Sequence, residues 1–228
     1  MKSQSIEDYM KAIYQIQEKQ NGAPVSTSSL ASWLGVANAS VTGMVKRFSS
    51  ADPQLVEYEP YGGVTLTDAG EKMALEVIRH HRIIESYLIQ ALGYSWDEVH
   101  EEAERLEHVI SETMEERMAQ ALGNPVSDPH GDPIPDREGN LHPLNVIPLT
   151  LLAEEQPATI QRVIGQEPEL LRYLAEQGLT ISTRIKVISK APFNGPINIR
   201  IFGSTESTLA LGREVAEKIL LQPSADAH

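Results

Sequence analysis

Apolar positions recur at helical spacing at the start of the chain. Residues 5–20 carry an apolar side chain every three or four positions, which puts these side chains on a single face of an α-helix. They are Ile6, Tyr9, Met10, Ile13 and Ile16. Ser5 can cap the amino end of this helix, and Asn21-Gly22 can end it.

Two shorter helices and a hairpin are predicted next. One helix is expected to begin near Val25 and to end at Gly35, and the following one begins after Asn38. Two short helices joined by a glycine-containing turn are typical of a helix-turn-helix motif. Residues 55–66 then alternate apolar and polar positions around a Pro-Tyr-Gly-Gly turn at 60–63, which predicts two strands. Three helices followed by a hairpin is the order of a winged-helix domain.

The middle of the chain predicts longer helices and a linker. Helical periodicity runs from Thr67 to about Leu92 and again from Ser95 to about Leu122. Residues 123–148 are rich in proline, glycine and aspartate, and this composition interrupts regular structure.

The last third of the chain predicts a small β domain. Strand-like segments occur at 159–164, 184–188 and 197–201, with a short helix at 170–177 and a helix or strand at 214–221. Short strands separated by glycine and proline turns favour a small β-barrel. The chain is therefore expected to be mainly α with a small β domain. The expected domains are residues 1–72, 73–145 and 146–228.

Composition narrows the chemistry. The 228-residue chain has no cysteine, so a metal would be held by histidine, carboxylates, carbonyls or water. The net charge is −13, and it is concentrated in residues 73–145, which hold 5 Lys and Arg against 15 Asp and Glu. Bound cations would relieve this repulsion, although a solvated acidic helix face explains the same composition. No apolar run approaches the roughly 20 residues that span a bilayer, so a cytoplasmic protein without membrane contact is expected.

The helix-turn-helix suggests where double-stranded DNA would bind. The second helix of such a motif enters the major groove with its amino-terminal residues towards the bases. In this chain they are Ala39, Ser40, Thr42 and Gly43. Ser40 and Thr42 are candidates for base edges or nearby phosphates. Lys46 and Arg47 would contact mainly phosphates, and Tyr61 would touch the adjacent backbone. A trihelical bundle with a solvated polar face is the alternative explanation.

Residues 99–108 combine histidines and carboxylates in a pattern suited to metal binding. At 100° per residue, four side chains fall in an arc of about 100° on one helix face. They are His100, Glu104, Glu107 and His108. On the preceding helix, His81 and Glu85 are four residues apart and share a face. Each piece alone is typical of surface hydrogen bonds, but candidates on two successive helices favour a metal site.

Together these motifs resemble the diphtheria toxin repressor and manganese transport regulator family. The resemblance covers nearly the whole chain. It rests on Ser-Ile-Glu-Asp-Tyr at 5–9, Ala-Ser-Val-Thr-Gly-Met-Val at 39–45, Leu-Thr-x-x-Gly at 66–70, Glu107-His108, and Asp-Pro-His-Gly-Asp-Pro-Ile-Pro at 128–135. It implies an amino-terminal winged helix, a helical dimerisation domain and a carboxy-terminal small barrel like that of ferrous iron transport accessory proteins.

The resemblance implies a primary metal site at Asp8, Glu104, Glu107 and His108. Iron-type members carry Met and Cys where this chain has Asp8 and Glu104. Oxygen-rich ligation suits manganese(II), so manganese is expected rather than iron(II). Short manganese-type members also place a Glu three residues after the Asp. This chain has Lys11 there, which departs from their two-metal cluster.

The resemblance leaves two versions of an ancillary site. Iron-type members with the barrel imply His81, Glu85 and His100. Streptococcal manganese regulators imply a variant in the linker, which here contains Asp128 and His130, and Glu85 would belong to either version. Glu167 would complete the shell.

The expected function is a repressor that binds operator DNA as a homodimer when loaded with manganese(II) and controls metal-uptake genes. The metal would fix two recognition helices at the spacing of successive major grooves. An iron(II)-responsive regulator of the same family is the first alternative. A metallohydrolase would use similar ligands, but the sequence has no HExxH pattern, and neither catalysis nor a small-molecule substrate is expected. A metal-independent winged-helix regulator that senses a small molecule is the third possibility.

Overall fold

The computed structural model describes residues 4–203 and 206–224. They fall into two compact units. The first comprises residues 4–81, 107–110 and 135–140, and the second comprises the other described residues. Every helix in the described part of the chain is too short or too polar to cross a bilayer.

The first unit has the predicted winged-helix order. Its elements are α1 (Gln4–Lys19), α2 (Thr27–Leu34), α3 (Asn38–Ser49), β1 (Val56–Glu59), β2 (Gly63–Leu66) and the first part of α4 (Asp68–Leu92). The two strands are antiparallel, with Val56 opposite Leu66. The helices and strands enclose an apolar core, whose largest fully buried side chains are Met10, Ile13, Leu30 and Phe48. Burying each such side chain contributes about 1.5–3 kcal/mol.

Local signals set the bounds of the helix-turn-helix. The Ser26 side chain caps α2 by accepting the backbone N–H of Ser29 at 3.0 Å. Gly35 ends α2 in the left-handed conformation, with φ of 66°, which glycine adopts without steric penalty. The expected turn between the two helices is therefore confirmed.

The helix predicted from Ser95 to about Leu122 is wrong, because two helices occupy this region. They are α5 (Val99–Leu106) and α6 (Glu112–Ala121). Residues 107–110, between them, belong to the first unit, whereas both helices belong to the second. The Ser111 hydroxyl caps α6 by accepting the Met114 N–H at 3.2 Å. Helix propensity is a weak preference that tertiary context overrides, and the helical periodicity of this region did not reveal the break.

The second unit also contains the small β domain. Its strands are β3 (Ile147–Pro148), β4 (Pro157–Val163), β5 (Arg184–Lys190), β6 (Ile197–Phe202), β7 (Ser207–Leu211) and β8 (Ile219–Pro223), with helices α7 (Pro168–Glu176) and α8 (Arg213–Lys218). All strand pairs are antiparallel in the order β3-β8-β4-β5-β6-β7. The largest fully buried side chains of the core are Leu149, Leu152, Ile160, Leu171, Leu174 and Leu179.

Sequence periodicity found the three longest strands and α7, but not β3 or β7. β3 is only two residues long and contains a proline. β7 exposes most of its residues at one edge of the sheet, so its sequence lacks the alternation of a half-buried strand. The ambiguous segment 214–221 contains both alternatives, because α8 ends at Lys218 and β8 begins at Ile219.

Candidate metal centres and DNA interface

The outer face of α3 carries the candidate DNA-binding residues. Ala39, Ser40, Gly43, Lys46 and Arg47 are exposed. Thr42 is half-buried, and its hydroxyl donates to the Asn38 carbonyl at 3.0 Å. A Cβ added at Gly43 would meet nothing within 4 Å. The first turn of α3 has no acidic residue and its last turn has two basic ones, so this face can approach a polyanion without like-charge repulsion.

Tyr61 lies at the tip of the hairpin between β1 and β2. Its side chain is fully exposed, and its φ is 67°. An aromatic side chain with no packing role in its own unit is available for contact with a partner.

Six ionisable side chains of the first unit converge, and we call them the amino-terminal cluster. They are Glu7, Asp8, Lys11, His81, Glu107 and His108. Helix α1 supplies the first three, α4 supplies His81, and the turn after α5 supplies Glu107 and His108. Possible ligand atoms of Asp8, Glu107 and His108 all lie within 4.8 Å of one another.

His108 contacts three carboxylates of the amino-terminal cluster. Its Nε2 lies 2.9 Å from Oδ1 of Asp8 and 3.3 Å from Oε1 of Glu107, and its Nδ1 lies 2.7 Å from Oε2 of Glu7. Burial opposes the charged form, but the hydrogen bonds to Asp8 and Glu7 and the negative charges of Glu107 and Asp8 outweigh it. They raise the pKa of His108 to about 9. The Glu7 contact also orients the ring, as carboxylates do for metal-binding histidines.

Glu107 is buried and paired with a lysine. The Lys11 ammonium donates to both of its carboxylate oxygens, at 2.8 and 2.7 Å. Nδ1 of His81 lies 2.5 Å from Oε2 of Glu107 and 3.4 Å from Nζ of Lys11. Glu107 is 1% exposed and Lys11 6%. A buried carboxylate requires such a countercharge, because an unpaired one is strongly unfavourable.

A second group of ligand-type side chains lies in the second unit, and we call it the linker cluster. It consists of Glu85, His100, Asp128 and His130. Oε1 of Glu85 lies 3.3 Å from Nδ1 of His100, and Oε2 lies 3.7 Å from Nδ1 of His130. The two versions of the ancillary site therefore meet at Glu85, one at each carboxylate oxygen.

The environment of His130 fixes the arrangement of its ring nitrogens. Its Nε2 lies 3.2 Å from the Trp96 carbonyl oxygen, which can only accept, so Nε2 carries a hydrogen. The Trp96 ring stacks on the imidazole at 5.5 Å between centroids. Nδ1 is buried without a hydrogen-bond partner among the described residues. In the neutral ring, Nδ1 therefore carries a lone pair that faces the Glu85 carboxylate. These two acceptors need either a cation between them or a proton on Nδ1.

Asp128 has one satisfied oxygen and one buried oxygen without a hydrogen bond. Its Oδ1 accepts the N–H groups of His130 and Asp132 at 2.8 and 2.9 Å. Within the described residues, Oδ2 has no hydrogen-bond partner, although Nε of Arg82 lies 3.8 Å away. Burial, followed by the negative charges of Asp132 and Glu85, raises the pKa of Asp128 to about 8. A divalent cation would remove this penalty, so the donors of the linker cluster fit a metal ion.

Strand β4 holds the linker segment that carries Asp128 and His130. Gly131 has φ of +86°, and a Cβ there would overlap the Gln161 carbonyl. The His130 carbonyl accepts the Val163 N–H at 2.9 Å, and Arg162 pairs with Asp132 at 2.5 Å. The β domain therefore positions part of the linker cluster.

Several candidate residues lie elsewhere than the sequence suggested. Because α5 ends at Leu106, Glu107 and His108 do not continue the helix face of His100 and Glu104. The prediction that all four side chains share one helix face is wrong, because a turn presents the Glu107 and His108 side chains to α1. Glu104 lies on α5 in the second unit, with its carboxylate 3.8 Å from Nε2 of His100.

Glu167 and His81 also make contacts that the sequence did not suggest. Glu167 pairs with Lys218 at 3.0 Å. His81, expected in the ancillary site, contacts Glu107 in the first unit.

Sequence reasoning also missed Glu7 and Trp96. Glu7 directly precedes Asp8 in the Ser-Ile-Glu-Asp-Tyr motif, and that adjacency was an available signal. The role of Trp96 depends on its carbonyl and on ring stacking, and neither leaves a local pattern in the sequence.

Both clusters contain only nitrogen and oxygen donors. Such donors suit borderline and hard divalent cations, whereas sulfur ligands suit softer ones. The donor types fit manganese(II) or iron(II) in both clusters. The amino-terminal cluster offers Asp8, Glu107 and His108, and the linker cluster offers an unsatisfied buried carboxylate oxygen of Asp128.

Three family models match successive parts of the chain. They describe the iron dependent repressor N-terminal DNA binding domain (residues 1–64), the iron dependent repressor metal binding and dimerisation domain (67–136) and the FeoA domain (147–223). The iron-dependent repressor IdeR of Mycobacterium tuberculosis is 30% identical over 216 residues, which are 89% of this chain and 91% of the relative.

Two further relatives extend the comparison. An HTH-type transcriptional regulator of Methanocaldococcus jannaschii is 39% identical over 116 residues, 51% of this chain and 90% of the relative. The solved structure of a manganese-dependent transcriptional repressor in complex with manganese superimposes with a TM-score of 0.83 at 35% identity. It covers 96% of this chain and 100% of its own.

The fold and these matches define a winged-helix transcriptional regulator with an attached small β domain. The chain belongs to the iron-dependent repressor family, which is the diphtheria toxin repressor and manganese transport regulator family that its motifs resemble.

Proposed function

We propose that this chain is a repressor that binds operator DNA as a homodimer in the cytoplasm when manganese(II) occupies its amino-terminal cluster. The observation that carries the proposal is the convergence of Asp8, Glu107 and His108, whose ligand atoms lie within 4.8 Å of one another. The manganese and iron dependence named for the relatives supports the choice of a metal as effector.

The proposed coupling runs from the metal to the recognition helix. Asp8 lies on α1 of the winged helix, whereas Glu107 and His108 lie in the turn after α5. A divalent ion held by all three would tie α1 to the metal-binding and dimerisation domain. It would favour the conformation whose two recognition helices match successive major grooves, because a ligand shifts an equilibrium only towards the state it binds better.

We propose the functional domains as residues 1–72 for DNA binding, 73–145 for metal binding and dimerisation, and 146–228 for the small β domain. Glu85, His100, Asp128 and His130 would hold a second ion in the linker cluster. His81 and Glu104 stand beside these ligand sets and would complete or orient them. In this proposal the metal organises the protein and takes part in no catalytic step.

Manganese(II) is proposed as the physiological metal because the candidate ligands are rich in oxygen and the chain contains no thiol. Iron(II) binds most nitrogen and oxygen sites more tightly than manganese(II). A preference for manganese must therefore appear as stronger activation of DNA binding and not as higher metal affinity. The measurement is operator occupancy at equal free metal, taken anaerobically with each ion. Stronger activation by iron(II) would favour the iron-responsive alternative.

The central experiment is a gel-shift titration of metal-stripped protein against its own upstream DNA. We expect binding to require manganese(II), and the complex to contain two chains. Binding that is equally tight without metal would contradict the proposal and favour a metal-independent regulator. Metal-dependent hydrolysis of ester or amide substrates, abolished by Glu107→Ala, would instead favour a metallohydrolase.

The proposed DNA interface consists of Ala39, Ser40, Thr42, Gly43, Lys46, Arg47 and Tyr61. We expect Lys46→Ala combined with Arg47→Ala to weaken binding to specific and random DNA alike, because phosphate contacts carry little sequence information. The slope of log affinity against log salt should fall by about 2, roughly one for each phosphate contact removed. An unchanged slope would remove both residues from the interface.

A further inference from the structure

We propose that Lys11 is a built-in cation of the amino-terminal cluster that competes with the activating metal for Glu107. The competition would set the metal concentration at which the protein responds. This inference rests on the proposed function of the cluster. It assigns Lys11, which is not a metal ligand, a direct effect on metal affinity.

The geometry of Lys11 is that of a cation held by a carboxylate. Its ammonium lies 2.8 and 2.7 Å from the two oxygens of Glu107 and 3.4 Å from Nδ1 of His81. Lys11 lies one helical turn after Glu7 on α1, and its side chain extends from there to Glu107. With the lysine 6% exposed and the glutamate 1% exposed, little water screens the pair, so each charge depends on the other.

The oxygens that hold the ammonium are also the ones that the metal would need. Oε1 of Glu107 accepts from Lys11 at 2.8 Å and lies 3.3 Å from Nε2 of His108, which is the side facing Asp8. A divalent ion held by Asp8, Glu107 and His108 would approach a carboxylate already neutralised by a positive charge at contact distance. Like charges at that distance disfavour each other strongly in a buried site. Metal binding must therefore weaken or displace the Lys11 contact.

A lysine that only stabilises the fold would behave differently. Removing such a lysine would lower the stability of the metal-free and metal-loaded forms together and leave metal affinity unchanged. Removing a competitor lowers the stability of the metal-free form and tightens metal binding, because the carboxylate is then left without its internal cation.

The test compares Lys11→Met with the matched variant Lys72→Met. Both remove one positive charge from the first unit, but Lys72 is exposed on α4. Manganese(II) binding to the full-length protein is measured by the electron paramagnetic resonance signal of free Mn(II), and the thermal midpoint is measured with and without metal. We expect Lys11→Met to tighten manganese binding by about tenfold or more, the effect expected of a charge at contact distance. Its metal-free midpoint should fall, and Lys72→Met should change neither quantity.

Repeating Lys11→Met in a Glu107→Gln background assigns the effect to the proposed pair. The tightening should then become smaller, since only the direct repulsion between the ammonium and the metal remains without the Glu107 carboxylate, and such a cycle isolates the pairwise contribution. Unchanged or weaker manganese binding by folded Lys11→Met would overturn the inference. So would a tightening of undiminished size in the Glu107→Gln background.

Folding is controlled by a second neutral variant. Lys11→Gln keeps a hydrogen-bond donor for Glu107. If Lys11→Met does not fold, the manganese affinity of Lys11→Gln tests the inference instead. Variants that fold only with manganese support the inference, whereas variants unfolded with and without it contradict it. If the wild-type protein binds no manganese, the proposed function itself fails. If the wild-type protein binds manganese and Lys11→Met binds it equally well, only the proposed role of Lys11 is overturned.

Discussion

The amino-terminal cluster and the linker cluster hold similar ligand types but balance their charges differently. In the amino-terminal cluster, the Lys11 ammonium and a His108 whose pKa is raised to about 9 neutralise the carboxylates. In the linker cluster, Asp128 keeps a buried oxygen without a hydrogen bond in the described part of the chain, and its pKa is raised to about 8. The first cluster holds an ammonium in direct contact with a carboxylate, whereas in the second Arg82 stays 3.8 Å from Asp128, so the second gains more from an added cation.

This difference suggests a division of work between the two clusters. A site that already contains positive charge binds metal in competition with its own protons and ammonium, so a higher metal concentration is needed to fill it. A site with an unsatisfied buried carboxylate and no lysine is stabilised by metal once the metal has replaced the proton on that carboxylate. We therefore expect the amino-terminal cluster to control DNA binding and the linker cluster mainly to control stability.

The largest effect is expected for Glu107→Gln, a variant of the amino-terminal cluster. The variant removes a proposed ligand and leaves the Lys11 ammonium buried without its countercharge. We expect most of the metal-dependent gain in operator affinity to be lost, about 5- to 150-fold for a typical allosteric coupling. The metal-free stability should fall by about 3–5 kcal/mol. Operator binding with and without manganese and chemical denaturation measure the two effects.

Glu101→Gln is the control for Glu107→Gln, because Glu101 is a largely exposed glutamate of α5 with a side chain 75% exposed. It should leave operator affinity and stability unchanged. Full metal dependence in Glu107→Gln would contradict the assignment of the amino-terminal cluster as the regulatory site.

Asp128→Asn tests the linker cluster and should have a smaller effect of opposite sign. The amide keeps an oxygen for the N–H groups of His130 and Asp132 but removes the cost of burying or protonating a carboxylate. We expect the metal-free midpoint to rise, by about 2–4 °C for each kcal/mol gained in a chain of this size. The additional rise caused by manganese should shrink. Differential scanning calorimetry with and without metal provides both values.

A second turn of the same design supplies the control for Asp128→Asn. Oδ1 of Asp136 accepts the N–H groups of Glu138 and Asn140 at 3.0 and 2.7 Å, as Oδ1 of Asp128 does in its own turn. Asp136→Asn should therefore make the same change from carboxylate to amide in an equivalent turn, while the rise of the thermal midpoint caused by manganese stays unchanged. Equal effects of the two substitutions would show that the linker cluster does not depend on a cation.

The smallest effect is expected for the pH dependence of the stability of the metal-free protein. The pKa values of His108 and Asp128 are raised from 6.5 to about 9 and from 3.8 to about 8. A raised pKa contributes stability that is fully present below the ordinary value and is lost as the pH rises through the raised value. Metal-free stability should therefore fall between pH 3.8 and about 8 through Asp128 and between pH 6.5 and about 9 through His108, most steeply where the two ranges overlap.

Manganese should reduce this pH dependence, since a bound metal takes the place of the protons. Thermal midpoints in matched buffers, with and without metal, measure the difference. Asp128→Asn should remove the part that lies between pH 3.8 and about 8. A metal-free stability that rises over the same range would contradict both pKa directions.

The sequence by itself determined the local structure and the ligand chemistry. Apolar spacing predicted α1 and α4, the turn at Gly35 and the hairpin predicted the winged helix, and alternation predicted the main strands. These features depend on neighbouring residues, so a one-dimensional pattern contains them. The absence of cysteine likewise limited any metal site to nitrogen and oxygen donors, apart from the thioethers of methionine.

Tertiary structure alone decided which charged groups meet. Lys11 and Glu107 are 96 positions apart, and nothing in their local sequence indicates that the lysine neutralises the glutamate. The break between α5 and α6, which places Glu107 in a turn, likewise has no counterpart in the helical periodicity of residues 95–122. In the linker cluster, a carbonyl and a stacked ring of Trp96 fix the imidazole of His130. Long-range contacts of this kind depend on the packed fold, so local periodicity does not encode them.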